Sequence, residues 1–434
     1  MKNIYYLGID IGTTTISAAV IDSESRLIDK YAKNSDAWIV TDHSWEKIQS
    51  VAKITEAAKA VVSEMITRYP DISGIGVTGQ MHGIVYLDEN NEPVSDLYTW
   101  QDQRASQGNP SSCEVIFEKT GYKVAAGYGL ATHYDLQQKQ LMPEGAVKIC
   151  TIMDYLVLVL TGKKENILMH ASNAASLGLY DIKRGDFDGK AFKELGINRS
   201  MFPHVTSENQ VVGYYREIPV MVSIGDNQAG FLYSVKEPEK MALANYGTGS
   251  QISMMIGERE LDSFLGDSEI EIRPFVNKHF LLSGSALCGG RAYAMLEQFF
   301  RAYALACGQP DISHYEIINK LARQGMEEKT KLKVKTLFCG TRSDVDKRGS
   351  ITGIGEENFT PQHLCVGVLR GMAEELYEMF QHMPSERVEK LAMSGNAVRK
   401  NEVLCEMIQE VFGLPAEKTE YQEEAAIGAA LFAK

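Results

Sequence analysis

The stretch Tyr5–Val20, YYLGIDIGTTTISAAV, governs how the rest of the chain is read. A short apolar run ends in Asp10. Gly12, Thr13, Thr14 and Thr15 follow, and then a second alternating run, Ile16–Val20. The pattern predicts two strands joined by a tight Gly-Thr turn. A turn of this kind aims several backbone N–H groups into one small concavity, and the threonine hydroxyls add donors. Such a nest favours an anion, above all a phosphate. Asp10, at the strand end, is placed to hold a divalent cation directly or through water, since Mg²⁺ prefers carboxylate, water and phosphate oxygens. Taken by itself, the stretch fits an ordinary N-terminal hairpin equally well.

A second copy tips the reading. Met241–Ile256, MALANYGTGSQISMMI, repeats the pattern with Gly247, Thr248, Gly249 and Ser250 at the turn. Thr13 and Thr248 hold equivalent places 235 residues apart. Two such units, one per half, point to an internal duplication. Two phosphate turns facing each other across a cleft would clamp the polyphosphate of a nucleotide.

The 434 residues suffice for two or three domains at roughly 100–200 residues each. A formal charge of −13, from 44 basic and 57 acidic residues, argues against nucleic acid or an anionic membrane as main partners. No apolar run reaches the ~20 residues that span a bilayer, and the N-terminus carries no leader-like pattern. Seven scattered cysteines without a CxxC pair fit free thiols in a reducing cytoplasm. Charge and a proline at Val235–Lys240 interrupt the apolar pattern and place a boundary there, between domains 1–235 and 236–434.

Between these landmarks strands alternate with helices, so the fold class is α/β. Trp45–Tyr69 has helical periodicity and ends at Pro70; Ile72–Thr78 reads as a buried strand; Val147–Leu160 reads as a helix. In the second half, Phe280–Ser285 and Lys390–Met393 read as strands, and Glu423–Phe432 as a small-residue helix able to pack closely. Gly74, Gly76 and Gly79 fit GxGxxG, but they lie within a strand rather than between strand and helix, so a dinucleotide site is not expected. No GxxxxGK[ST] or HExxH is present.

Active groups gather at strand ends. Asp226, preceded by Gly225 and followed by Asn227, sits at one such end. A kinase acting on an alcohol needs a carboxylate that orients the hydroxyl and accepts its proton; Asp226 suits that role, and an Asp-Asn turn is the plain alternative. Gly225 gives the backbone room, and Asn227 can bond a second hydroxyl. Gln80, Met81 and His82 follow another strand and offer donors, acceptors and an apolar wall for a sugar. Trp100, Asp102 and Arg104 cluster at a third; a salt bridge beside a packed tryptophan explains them equally well. Gly395 and Asn396, before a helix, suit the flat face of an adenine or a plain helix start.

Together these pieces resemble the FGGY family of carbohydrate kinases, within the actin–sugar kinase–Hsp70 superfamily, over essentially the whole length. GIDIGTT at 8–14 is similar to the family's first phosphate motif and NYGTGS at 245–250 to its second. GDN at 225–227 is similar to the segment bearing the catalytic aspartate, and LAMSGNAVRKNEVLCEMIQEVFGLP at 391–415 to the adenosine motif. The ending EEAAIGAA resembles the family's last helix. TGQMHG at 78–83 resembles xylulokinases and sedoheptulokinase-like members, where Met-His lines the ketose site. WQDQR at 100–104 matches the family's Trp-x-Asp-x-Arg segment.

The resemblance implies two actin-like (ribonuclease H-like) ATPase domains with a catalytic cleft between them. It implies ATP held by Gly12, Thr13, Thr14, Thr15, Gly247, Thr248, Gly249, Gly290, Gly395 and Asn396, with Mg²⁺ at Asp10. A ketose is expected against Gln80, Met81, His82, Trp100, Asp102 and Asn227, with Asp226 as catalytic base. Sedoheptulose is the expected acceptor, with xylulose or another pentulose as the alternative. An ATP-driven conformational protein without kinase activity is the competing class. The chain is shorter than most members, and Asn396 stands where many have Gly or Ala. Expected partners are the ketose, ATP and a second copy in a homodimer, with no nucleic acid or membrane.

Overall fold

The computed structural model describes residues 4–162, 167–327, 332–341, 344 and 346–434. The first hairpin forms as read. β1 (Tyr5–Ile11) runs antiparallel to β2 (Thr15–Asp22), with Ile11 opposite Ile16. β3 (Leu27–Asn34) pairs antiparallel to β2. Helix α1 (Val51–Arg68) then carries the chain to β4 (Ile72–Gly79), parallel to β1. β5 (Val211–Tyr215) and β6 (Ile218–Met221) complete a six-stranded sheet of order β5-β6-β4-β1-β2-β3, with β6 parallel to β4.

The second half repeats this path. β7 (Met241–Tyr246) is antiparallel to β8 (Ser250–Ile256), which is antiparallel to β9 (Phe280–Ala286). On its other side β7 is parallel to β10 (Lys390–Ser394), which is parallel to β11 (Ala416–Lys418). The succession β9-β8-β7-β10-β11 has the pairing senses of β3-β2-β1-β4-β6, strand for strand. Asp10 lies opposite Thr78, and Asn245 opposite Ser394, so Asn245 is the counterpart of Asp10. Ile11 faces Ile16, whereas Tyr246 faces Ser250, so the second turn is one residue shorter.

The chain divides into two compact units. One is Met1–Tyr233 with Arg273–His279 and Glu423–Lys434; the other is Ser234–Ile272 with Phe280–Gln422. The expected 236–434 domain therefore loses its last helix to the first unit. The reason lies in side-chain alternation along β1 and β4. Leu7, Ile9, Ile75 and Val77 share one hydrophobic core with Ile54, Val61 and Met65 of α1. Gly8 and Gly76, paired across the strands, lie on the opposite face. There the C-terminal helix, Glu424–Phe432, comes so close that a Cβ at Gly8 would stand 1.8 Å from the Ala426 carbonyl oxygen. A Cβ at Gly76 would stand 1.9 Å from that of Ala429. The GxGxxG-like glycines of this strand thus serve close packing.

Two helices start later than their periodicity suggests. Ile48–Gln49 pairs with Leu97–Tyr98 as a short strand, and Ser50 caps α1 by accepting from the Lys53 N–H. Lys148–Cys150 is likewise a strand, and α2 (Ile152–Thr161) begins only after a capping box between Thr151 and Asp154. Beyond it lie α3 (Ala171–Leu177) and α4 (Asp226–Ser234). In the second unit, α5 (Gly290–Ala306) follows β9, and α6 (Asn396–Lys400) follows β10. All seven cysteines are free. Among the described residues no helix is long and apolar enough to cross a membrane.

Candidate active site

Three neighbouring parallel strands of the first unit end on one edge, where α/β sheets bind ligands. β1 delivers Asp10, β4 delivers Gln80, Met81 and His82, and β6 leads through Val222–Gly225 to Asp226, the first residue of α4. The Ile224 N–H donates to the Val77 carbonyl (3.0 Å) and the Gln80 N–H to that of Ile11 (2.9 Å), so register fixes these segments beside one another.

Asp226 is held by its neighbour. The Asn227 N–H donates to Asp226 Oδ1 (2.6 Å), and Asn227 Nδ2 donates to the same oxygen (3.0 Å). Asn227 Nδ2 also lies 3.7 Å from the Met81 sulfur. Asn227 therefore orients the carboxylate, a duty the sequence reading did not give it. Gly225 is closely packed: a Cβ would stand 2.5 Å from Gln228 Oε1 and 2.7 Å from Met81 Cε, so those side-chain ends would have to shift. Burial pushes the Asp226 carboxyl up to about 6, against the pull of the Asn227 N–H and the Arg273 charge. Asp10 is pushed up to about 7, by burial first and then by the charge of Asp226. The two carboxylates stand at neighbouring strand ends, near enough for the charge of Asp226 to act on Asp10.

The first turn is tied to the Gln80–His82 segment and to Trp100. Gly12 N–H donates to the Thr15 carbonyl (3.0 Å), closing the turn. Gln49 Nε2 donates to the Thr13 carbonyl (2.5 Å), and Gln80 Nε2 donates to Gln49 Oε1 (2.9 Å). The half-exposed Trp100 reaches Thr13 Oγ1 through its indole N–H (3.2 Å). His82 has a left-handed backbone (φ 74°) and stacks on Tyr128 with ring centroids 4.6 Å apart. Its Nδ1 lies 2.7 Å from the Ser176 carbonyl oxygen. A carbonyl only accepts, so Nδ1 carries a proton toward Ser176.

Asp102 departs from its expected role. It is fully buried, and its oxygens accept from Arg104 Nε (2.7 Å), Arg104 Nη2 (3.0 Å), the Arg104 N–H (3.0 Å) and the Lys47 N–H (2.9 Å). The carboxylate is spent on clamping the Trp100–Arg104 loop to Lys47. It presents no open contact to a sugar.

In the second unit the turn at Gly247, Thr248 and Gly249 abuts the start of α5. Gly290 N–H donates to the Gly247 carbonyl (2.9 Å), and Arg291 N–H to that of Thr248 (3.1 Å). Gly395 (φ 92°) lies so near β7 that a Cβ would stand 2.5 Å from the Tyr246 carbonyl oxygen. Asn396 opens α6 and is exposed. The structure thus gathers every expected nucleotide residue of this half at one edge.

A duplicated sheet with a Gly-Thr turn in each copy, and a partly buried carboxylate at a strand end of the first, fits a phosphotransferase class. The N-terminal domain of the FGGY family of carbohydrate kinases matches residues 5–232, and its C-terminal domain matches residues 243–434. The chain belongs to the FGGY family of carbohydrate kinases and is a carbohydrate kinase, which implies ATP as a substrate. It is similar to the sedoheptulokinase of Homo sapiens, 26% identical over 465 residues covering 98% of this chain and 96% of the relative. It is also similar to glycerol kinase 2 of Thermotoga maritima, 27% identical over 461 residues, 99% and 89% of the two chains. Among solved structures, gluconate kinase from Lactobacillus acidophilus superposes with a TM-score of 0.81 at 17% identity, covering 99% of this chain and 89% of that one.

Proposed function

We propose that this enzyme transfers the γ-phosphate of ATP to a primary hydroxyl of a ketose, with sedoheptulose as the acceptor and xylulose as the next candidate. The observation that carries the reading is Asp226. Its carboxyl is partly buried and oriented by Asn227, which lies against Met81 on the edge that also bears His82. A general base works best with a pKa near the operating pH, and burial moves Asp226 toward it. Similarity to sedoheptulokinases of human and mouse, both 26% identical, supports the choice of sugar.

In this reading Asp226 accepts the proton of the attacking hydroxyl. His82 Nε2 accepts from a second hydroxyl, with its tautomer set by the Ser176 carbonyl. Met81 and Trp100 supply apolar surface for the carbon chain. The Gly12–Thr15 and Gly247–Gly249 turns donate N–H groups to phosphate oxygens. Gly395 and Asn396 take the adenine. The crowded Asp10–Asp226 carboxylates fit a divalent cation. Among the described residues no cluster of three acidic, His or Cys side chains could complete its shell. Asp10 would therefore hold Mg²⁺ together with water and phosphate oxygens, and the ion would offset phosphate charge. The free thiols support a cytoplasmic location.

The test is ADP release from ATP with a panel of ketoses and polyols. Stimulation by sedoheptulose above all other sugars is expected. Equal background rates with every sugar would overturn the proposal.

A further inference from the structure

Helix α3 makes no contact with the hydroxyl or the phosphate in the reading above, yet it joins both halves of the sugar side. Ser176 lies four residues from Ser172 and three from Asn173, beside both on the helix, and all are buried. Toward Asp226, Ser172 Oγ accepts from the Gly225 N–H (3.0 Å). Asn173 Nδ2 donates to Ser223 Oγ (2.8 Å) and to the Ser223 carbonyl (3.2 Å). Ser223 Oγ in turn donates to Asp154 Oδ1 (2.5 Å), whose other oxygen accepts from Thr151 Oγ1 (2.7 Å). The backbone leading into Asp226 is thus pinned at residues 223 and 225. Toward His82, Ser176 Oγ accepts from the His82 N–H (3.2 Å), and the Ser176 carbonyl meets His82 Nδ1 (2.7 Å). Ser176 Oγ donates to the Asn173 carbonyl (2.7 Å), closing the link between the two ends. His170, the helix cap, holds Ser172 Oγ at 2.8 Å.

We propose that Ser172 and Asn173, backed by Asp154 through Ser223, are positioning residues that set the place of Asp226, while Ser176 beside them on the helix sets His82. One short helix then fixes the spacing between the proton acceptor and the group that reads the sugar. The inference rests on the functional reading for its kinetic signature, but its geometric content is independent of that reading.

The experiment uses the full-length enzyme with sedoheptulose and xylulose as acceptors. Asn173→Ala is expected to lower kcat by about 10–100-fold, the cost of a slightly misplaced group, with both KM values within about threefold. Ser176→Ala is expected to raise the sugar KM about 10-fold while kcat holds within about threefold. Ser172→Ala, which deletes one hydroxyl, carries the Asn173 test if that variant fails to fold. Asn173→Asp keeps the size but loses the donor and should behave as Asn173→Ala. A parallel fall in all parameters that simply tracks lost thermal stability would overturn the proposal. A wild type that phosphorylates neither sugar would remove the functional reading alone. The crystal structure of Asn173→Ala would then decide: displacement of Asp226 by about 1 Å or more supports the proposal, and an unmoved Asp226 refutes it.

Discussion

Gln49 and Gln80 form a buried amide bridge, Gln80 Nε2 to Gln49 Oε1 at 2.9 Å, while Gln49 Nε2 holds the Thr13 carbonyl. The bridge connects the Gly12–Thr15 turn to the segment that carries Met81 and His82. A shift in either is felt by the other, because both amides are buried and have no water to fall back on.

Gln49→Ala should therefore cost about 1–3 kcal/mol of stability, the penalty of orphaned buried partners. It should also weaken ATP and sugar binding together. Thermal melts with and without each ligand check this. Loss of ATP binding alone would mean that the bridge does not transmit.

The Asp10–Asp226 pair predicts a pH dependence. Asp226 must be ionised to accept a proton, so kcat/KM should rise as pH climbs through about 6. Stability should move the other way. Both folded-state values lie above the ordinary carboxylate range, about 7 for Asp10 and about 6 for Asp226. Their contribution is thus fully present below pH ~4 and lost as pH rises through 6–7. Asp10→Asn should raise the ligand-free Tm by about 2–5 °C at pH 8 and by little at pH 4. A gap that is constant with pH would contradict the raised Asp10 value, which burial sets first and the Asp226 charge second.

The packing of the C-terminal helix gives a contrast between two glycines. A Cβ at Gly428 would stand 1.7 Å from the Ala229 carbonyl oxygen, whereas one at Gly230 meets nothing within 4 Å. Gly428→Ala should cost about 1–3 kcal/mol or more through overpacking. Gly230→Ala, inside α4, should add about 0.5–1 kcal/mol. Urea unfolding midpoints report both.

The Asp102–Arg104 clamp predicts a stability effect. Asp102→Ala leaves the buried Arg104 guanidinium without its partner and should cost about 3–5 kcal/mol. Replacing both with apolar residues should recover much of that loss. A thermal-melt double-mutant cycle measures the coupling.

The fold was legible where local pattern and partner agree. The two hairpins, their offset of 235 residues and the close-packing last helix all show in sequence, because strand alternation, turn glycines and small residues are local marks. The helix starts at Val51 and Ile152 were less legible, since Ser50 and Thr151 cap within apolar runs that read as continuous. The home of Glu424–Phe432 could not be read locally, because Gly8 and Gly76, over 300 residues away, decide it. Asp102 looked open because a buried ion pair and a ligand contact use the same residue types. Helix α3 carried no signal: Ser172, Asn173 and Ser176 are ordinary polar residues until Gly225 and His82 are brought to them. The candidate residues of the two Gly-Thr turns were legible because the duplication marks those strand ends.

The most direct measurement is the rate of ADP formation by Asp226→Asn beside wild type, with sedoheptulose and ATP, paired with calorimetric binding of ATP. The account predicts a kcat lower by about 10²–10⁴-fold and an ATP affinity within about threefold of wild type. A variant that turns over at a near-normal rate would take the proton-accepting role away from Asp226 and contradict the account.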